Sequence, residues 1–596
     1  MTKARDFAMM VGRSEAINPT RVALLDGNTI TVTDSASVSS IIGNVGTAVY
    51  DSLGALPVAG LTAGQQAFVS ANDRLYISNG NGWYNVATIN ATPTLTTSPT
   101  GTIALAAGSA TVVTMTAADS DGTTPALSLE SGGDLFKFAT ISQDSSVVTI
   151  TPRSEDSAVS LGSDGSATLT FKASDGIGVA SVVNTFTLSF GPDWSASPTQ
   201  STLVASNGSN GDQFGHSVSI NSDATYAIVG APRYESTATY SNDYGSIYIY
   251  SRSGSTWTQQ YLAGGTEIQE YIGHSVSISG DGSYAIAGAY AEDYISGAGG
   301  VWNSGRINIW VRSGSSWSSQ AFIRAGDIGA DNYFGVSVDI NNDGSYAIAG
   351  ATGVDTGGTD AGAAYIFTRS GTSWSQQQKI QHSDISNVDN FGSSVAINSD
   401  GTYAIVGASG HSSSNTGAAY IFVRSGSTWT QQAKIVSSDL ESSDFFGTSV
   451  SISSDGSYVI VGAPGEDTDG SGAGSTYIFT RSGSTWTQQQ KIQSSDVQAG
   501  DGFGNSVSIS GDTNHAIVGA AGEDTGFTGA GSSYIFSRSG STWTEQRILR
   551  SPTALEKDFF GKSVSMSSNG SYVLVGANED DGGRVSNGTS YIYEAS

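Results

Sequence analysis

From residue 212 onward one phrase returns seven times, in forms such as FGHSVSINSDATYAIVGAP, FGSSVAINSDGTYAIVGAS and FGTSVSISSDGSYVIVGAP. Its first glycine falls at Gly215, Gly273, Gly335, Gly392, Gly447, Gly504 and Gly561, a period near 57. A second glycine, in VGA or AGA, follows at Gly230, Gly288, Gly350, Gly407, Gly462, Gly519 and Gly576, always 15 residues after the first. Self-similarity at a period of tens of residues means that each unit is a supersecondary element that buries its apolar face only against its neighbours. A constant 15 inside a period that varies between 55 and 62 marks a rigid hairpin joined to its sister copies by loops of variable length.

The fifth unit shows the local reading. SVSIS (449–453) alternates small polar with branched apolar residues, as a half-buried strand does, and YVIVGA (458–463) is a short apolar run; SDG between them supplies the turn. STYIFT (475–480) and TWTQQQKI (485–492) flank a second turn, RSGSTW. These are strands a, b, c and d. Four strands per unit and seven units predict an all-β, seven-bladed β-propeller over 193–596, with blades buried on both faces and no long edge left open. The seventh unit stops at SYIYEAS, after its strand c, while DWSASPTQSTLV places Trp194 upstream of the first unit at nearly the spacing that Trp543 has from Phe560. Residues 194–204 are therefore expected to complete the last blade, with the b-to-c loops on the face opposite Trp194.

Phe-Gly followed by Gly-Ala-Pro in FGTSVSISSDGSYVIVGAP resembles the FG-GAP repeat of integrin-α-type propellers, and the resemblance covers about two thirds of the chain. It implies a calcium loop, D-x-[DN]-x-D-G-x-x-D, between strands a and b. Asp339, Asn341 and Asp343 of DINNDGSYA fit that loop, but Ala347 stands where its last Asp belongs, which favours an ordinary hairpin.

Composition closes several doors. With 25 basic and 53 acidic side chains the net charge is -28, and no Lys/Arg block is present to neutralise phosphates, so nucleic acid is not an expected partner. There is no cysteine, hence no disulfide framework and no thiolate metal site. The first twenty residues carry no apolar core of the kind an export signal needs, and no stretch approaches the ~18 apolar residues of a membrane span.

Upstream, 91–192 reads as a β-sandwich through SATVVTMTAADSDG, SVVTITP, SATLTFKASDG and NTFTLSF, and resembles immunoglobulin-like and cadherin-like spacers. Residues 49–90 form a small β element with NGNGW as its turn, and 1–48, containing TRVALLDGNTITVTD, is expected to anchor the chain on a larger assembly. The phrase GQQAFVSANDRLYISNGNGWYNVA is similar to a segment of structural proteins of tailed-bacteriophage virions.

Catalytic patterns fail on inspection. EKDFFGKS lacks the first glycine of a phosphate loop, and its Lys562 aligns with Thr448 and Ser393 of sister units. RSGSTW resembles a sialidase Asp-box with Arg252, Arg312, Arg369, Arg424, Arg481 and Arg538 in place of the Asp. His216, His274, His382, His411 and His515 show no metal-ligand spacing. No enzyme activity is expected. The acidic b-to-c loops, above all Glu466, Asp467 and Asp469 of GEDTDGSGAG, are the candidates for holding Ca²⁺, the one cofactor considered. The b-to-c loops of the first two units are the longest and carry Tyr234, Tyr240, Tyr244, Tyr290, Tyr294 and Trp302, an aromatic set suited to stacking on sugar rings. The expectation is a virion fibre or spike, made in the host cytoplasm and released by lysis. Its N-terminus would meet other virion proteins and its propeller a host-surface glycan or protein, without membrane insertion; phage fibres of this layout are often homotrimers, but seven closed blades need no partner, and trimerisation would have to come from the first hundred residues. The alternative is a bacterial extracellular adhesin or calcium-binding, integrin-like surface protein.

Overall fold

The structure is a computed structural model. It describes residues 192–595 apart from 236–242, 266–268, 297–298, 440, 525, 554 and 581–586. Upstream it describes 21–23, 29–31 and 48–188 apart from 62, 70–73, 80–82, 89–91, 99–101, 106–110, 119–123, 132–138, 145, 153–164 and 175–178. Tyr240 and most of the 1–48 segment thus lie outside the described residues. The chain divides into two compact units, Met1–Phe190 and Gly191–Ser596.

In the first unit, Arg21–Ala23 pairs antiparallel with Thr29–Thr31, the hairpin expected there. Ala48–Tyr50, Ala63–Val69, Arg74–Asn79 and Trp83–Thr88 form one four-stranded sheet around Leu56, Ala67, Val69 and Tyr76. Residues 94–188 form two further four-stranded sheets. They share one core, with Leu95, Val113, Met115, Val148 and Ile150 from one sheet and Leu169, Phe171 and Ala173 from the other. Alternate residues of Thr94–Ser98 are buried, as a sheet with one wet face requires.

Among its described residues the second unit holds seven four-stranded sheets, beside the short pair Tyr294–Ser296 and Gly299–Val301. In the first, strand a is Ser217–Ile220, b Tyr226–Ala231, c Ser246–Ser253 and d Thr256–Gly264. In the last, Ser563–Met566, Tyr572–Ala577 and Thr589–Glu594 supply a, b and c, and Thr199–Leu203 pairs antiparallel with Thr589–Glu594 as strand d. Strand b is buried along nearly its whole length because it is central in its sheet and covered on both faces. Apolar clusters therefore form between successive sheets. One of them joins Leu203, Leu574 and Ile592 of the last sheet to Val218, Val229 and Tyr248 of the first, so the series closes on itself.

The 15-residue spacing has a direct physical cause. In the first three and last three sheets the first-marker N–H donates to the second-marker carbonyl, as Gly215 does to Gly230 at 3.0 Å. The second marker then packs on the first marker of the next sheet. A Cβ at Gly230 would lie 1.9 Å from the Gly273 carbonyl oxygen, one at Gly288 1.8 Å from that of Gly335, and one at Gly576 1.9 Å from that of Gly215. The first-marker glycines also sit at φ between 88° and 95°, which side chains resist.

The serines of SVSIS have a second task. Strand a is innermost and would leave backbone N–H groups unpaired, and the preceding sheet's strand a satisfies them. Ser217 Oγ accepts from Val276 N at 3.0 Å, Ser219 Oγ from Ile278 N at 3.2 Å, and Ser565 Oγ from Ile220 N at 3.1 Å. At the outer end of the first six sheets, the RSGSTW arginine reaches back to its neighbour. Arg424 bonds the Gly401 carbonyl at 2.6 Å within its own sheet and covers Tyr346 of the preceding one at 4.5 Å. Arg252 does the same to Tyr572, across the closure. These arginines are built into the turns and have no carboxylate role to mimic.

Candidate functional site

Antiparallel strands put the a-to-b turns at one end of the sheets and the b-to-c and d-to-a loops at the other. At the first end, turn residues hydrogen-bond from sheet to sheet, as in Ser222 N to Gly280 O, Asn342 N to Ser399 O and Ser568 N to Ser222 O. Trp194 belongs here: its indole Nε1 donates to Gly570 O at 3.0 Å. Turn residues from all seven sheets line a polar cavity of about 160 Å³. Asp339 faces it, accepting from Ile397 N at 2.8 Å, Ser277 Oγ at 2.7 Å and Ile340 N at 2.9 Å. Asn341 and Asp343 bond each other and Ser345. The calcium-like residues thus satisfy one another and the backbone.

Burial raises the Asp339 carboxyl to a pKa of about 6. The folded state holds this proton better than the unfolded state. The contribution is therefore complete below the unfolded value near 4 and is lost as pH rises through 6. Asp339→Ser installs the residue that sister strands carry, Ser277 among them. Urea unfolding between pH 4 and pH 7 is expected to show the variant gaining on the wild type by on the order of 1–3 kcal/mol as pH rises.

The opposite end carries the residues expected to bind. Tyr290 lines a cavity there, Tyr294 lies under the Arg324 guanidinium at 5.0 Å, and Trp302 is 61% exposed. Tyr234 and Tyr244 are half-buried, and the Tyr234 hydroxyl accepts from Asn207 at 2.7 Å.

The acidic loops at this end are not loose turns. Glu466 is buried and accepts from Thr468 N at 3.0 Å, Ser475 Oγ at 2.7 Å and Lys491 Nζ at 2.9 Å. Burial would raise its pKa, but the bonds from Thr468, Lys491 and Ser475 outweigh that and hold it below the usual carboxylate value. Asp467 accepts from Gly472 N at 2.6 Å and so shapes its own loop. The Glu466 carboxylate is thus matched by an ammonium from strand d (Thr485–Ile492 in this sheet). Glu292 is likewise matched by Arg324, and Glu523 by Arg550 at 3.8 Å.

The histidines depart from their sequence reading in two places. Among the described residues, His382, Asp389 and His411 bring ligand atoms within 4.8 Å of one another, a convergence that their spacing along the chain conceals. Lys434 Nζ already lies 2.7 Å from His411 Nε2 and 2.6 Å from Asp384 Oδ2, so an ammonium occupies the polar side of that group.

His216, His274 and Lys562, each directly following a first-marker glycine, share a cavity of about 550 Å³ at this end of the strand a ring. Gln213, Arg233, Tyr271, Tyr290, Asn578 and Glu579 also line it. Tyr271 stacks on Tyr290 at 5.6 Å, Tyr290 meets His274 at 4.5 Å, and His274 meets His216 at 4.8 Å, forming one continuous aromatic wall. Burial pushes His274 down to about 4 and His216 well below its ordinary value, the neighbouring His274 and Lys562 adding to the latter shift. Both imidazoles are neutral at pH 7. Lys562 stays in contact with solvent in the cavity, while the protein around it lowers its pKa. Sequence reading passed over these residues as repeat positions. The signal was present: this position varies from Val336 to Ser393, Thr448 and Asn505, and turns bulky or basic in the seventh, first and second units.

The solved structures that the chain resembles include the periplasmic gluconolactonase PpgL of Pseudomonas aeruginosa, at 14% identity over 64% of this chain and 91% of that one, with a TM-score of 0.38. They also include the WD40 repeats of RRP9, at 10% identity over 67% and 99%, with a TM-score of 0.40. No curated protein sequence matches the chain. The FG-GAP repeat model matches residues 198–250, 317–367, 374–422, 429–479, 486–536 and 543–593. Each match runs from strand d of one sheet to strand c of the next, the same offset that lets 199–203 complete the last sheet. The stretch between the first two matches contains the second unit, in which Ile272 replaces the Phe. Together the six matches span more than half of the 596 residues, and the chain belongs to the FG-GAP repeat family of structural and binding β-propellers.

Proposed function

We propose that this chain is a receptor-binding appendage of a tailed-bacteriophage virion. Its 193–596 region is a seven-bladed FG-GAP propeller that recognises a host-surface glycan through the end bearing the b-to-c loops. Residues 91–192 are an immunoglobulin-like or cadherin-like spacer, and the preceding segment docks on other virion proteins. The observation that carries binding rather than catalysis is the 550 Å³ cavity, walled by the rings of Tyr271, Tyr290, His274 and His216, in a family of structural and binding propellers; Trp302 is exposed on a b-to-c loop. Cavities of a few hundred Å³ with an apolar wall and a few polar groups are the usual form of small-ligand sites. The virion context rests on the similarity of GQQAFVSANDRLYISNGNGWYNVA to virion structural proteins.

Mass spectrometry of purified virions tests the context, and competition tests the function. The chain is expected in the particle, and excess purified chain is expected to block adsorption of the virion to its host at least tenfold. Trp302→Ala is expected to weaken that block. A chain absent from virions and present on a bacterial surface would mean the adhesin instead, and adsorption unaffected by excess chain would reject receptor binding.

A further inference from the structure

We propose that the cavity binds the acidic residue of a glycan, its carboxylate held by Lys562 and Arg233 and its ring lying against Tyr271 and Tyr290. This deepens the glycan-receptor reading and rests on it. The starting point is an account of the basic side chains. Among the described residues of 192–595, every other Lys and Arg has a hydrogen bond or an ion pair. The side chains of Arg233 and Lys562 have neither, and both residues line this one cavity. Two further polar atoms in the same place are buried without a partner, His216 Nδ1 and Asn578 Oδ1. Buried polar atoms are almost always paired, so an orphan in a native fold calls for an explanation. Here four unmet groups converge on one space.

Their chemistry names what is missing. An ammonium and a guanidinium ask for an anion, and their bonds to a carboxylate are the strong, charge-assisted kind. The neutral His216 and the Asn578 carbonyl oxygen ask for groups that both donate and accept, as sugar hydroxyls do. The stacked Tyr271 and Tyr290 offer an apolar face beside them. The one acidic side chain of the wall, Glu579, is held by Gln213 at 2.6 Å. In a chain of net charge -28, two unpaired cations in one cavity mark a local reversal of sign that draws anions in.

The test is titration calorimetry of the full chain with sodium D-glucuronate, methyl glucoside and inorganic phosphate. The variants are Lys562→Thr, which installs the residue of Thr448, and Arg233→Gln, at an exposed position. Saturable glucuronate binding is expected, at least tenfold tighter than methyl glucoside or phosphate. Each variant is expected to weaken it at least tenfold with circular dichroism unchanged. Absence of glucuronate binding, or binding that both variants retain, overturns the site, and phosphate binding as tight as glucuronate overturns the sugar. Adsorption competition separates this from the broader reading. If the wild-type chain blocks adsorption but ignores glucuronate, the inference falls and receptor binding stands; if it binds glucuronate but blocks nothing, the reverse holds.

Discussion

Trp194→Ala is expected to lower the unfolding free energy by about 3–5 kcal/mol, the usual cost of truncating a large buried aromatic. Trp194 is 1% exposed and packs in one cluster with Leu549, Met566 and Val573. Its indole bond to Gly570 spans 376 residues, so it ties the start of the repeat region to the last sheet. Truncation leaves a cavity, orphans the Gly570 carbonyl and loosens the five-residue strand that follows. Urea unfolding followed by circular dichroism measures the change. Val204→Ala, beyond the same strand and 57% exposed, is the control and should stay within about 0.5 kcal/mol. Equal effects of the two substitutions would show that the closing strand does not hold the ring.

Gly407→Ala is expected to cost about 3 kcal/mol or more, because the added methyl meets backbone that has no rotamer to give. It would lie 2.0 Å from the Gly447 carbonyl oxygen and 2.3 Å from Ser394 Oγ. Gly483→Ala separates sterics from backbone conformation: it has nothing within 4 Å but sits at φ 62°. Only the left-handed backbone penalises it, by about 1–2 kcal/mol. Thermal melts of both variants decide the matter, and a Gly407→Ala loss no larger than that of Gly483→Ala would show that the sheets can slide apart to accommodate a methyl.

Much of this was legible in the sequence. A contact repeated at every sheet junction writes itself as a constant interval, which is why the Gly230–Gly273 type of packing was visible as a spacing of 15. The completion of the last sheet was legible from the seventh unit's missing strand d, although Trp194 stands 20 residues before Phe214 where Trp543 stands 17 before Phe560, and the strand itself is Thr199–Leu203. What periodicity could not show is direction toward the axis. His216, His274 and Lys562 align with Thr448 and Ser393, and alignment alone treats them as interchangeable turn residues. The sheets bring these three side chains, from the seventh, first and second units, around one space that the sixth unit also lines through Ala521 and Gly522. The acidic loops were obscured by separation of another kind. The cation that matches Glu466 is Lys491, 25 residues downstream and on another strand.

The offset between repeat and sheet also sets a schedule for synthesis. Thr199–Leu203 is made early, yet its partners, Ser590–Glu594, emerge almost four hundred residues later. At ribosomal speeds of about 5–20 residues per second, that delay is roughly 20–80 s. Throughout it the early strand has no ladder to join, and the first sheet lacks the neighbour that supplies Leu574 and Ile592 to its core. The ring can close only once Ser590–Glu594 has been made, and a nascent chain held at residue 588 would carry six complete sheets and an open seam.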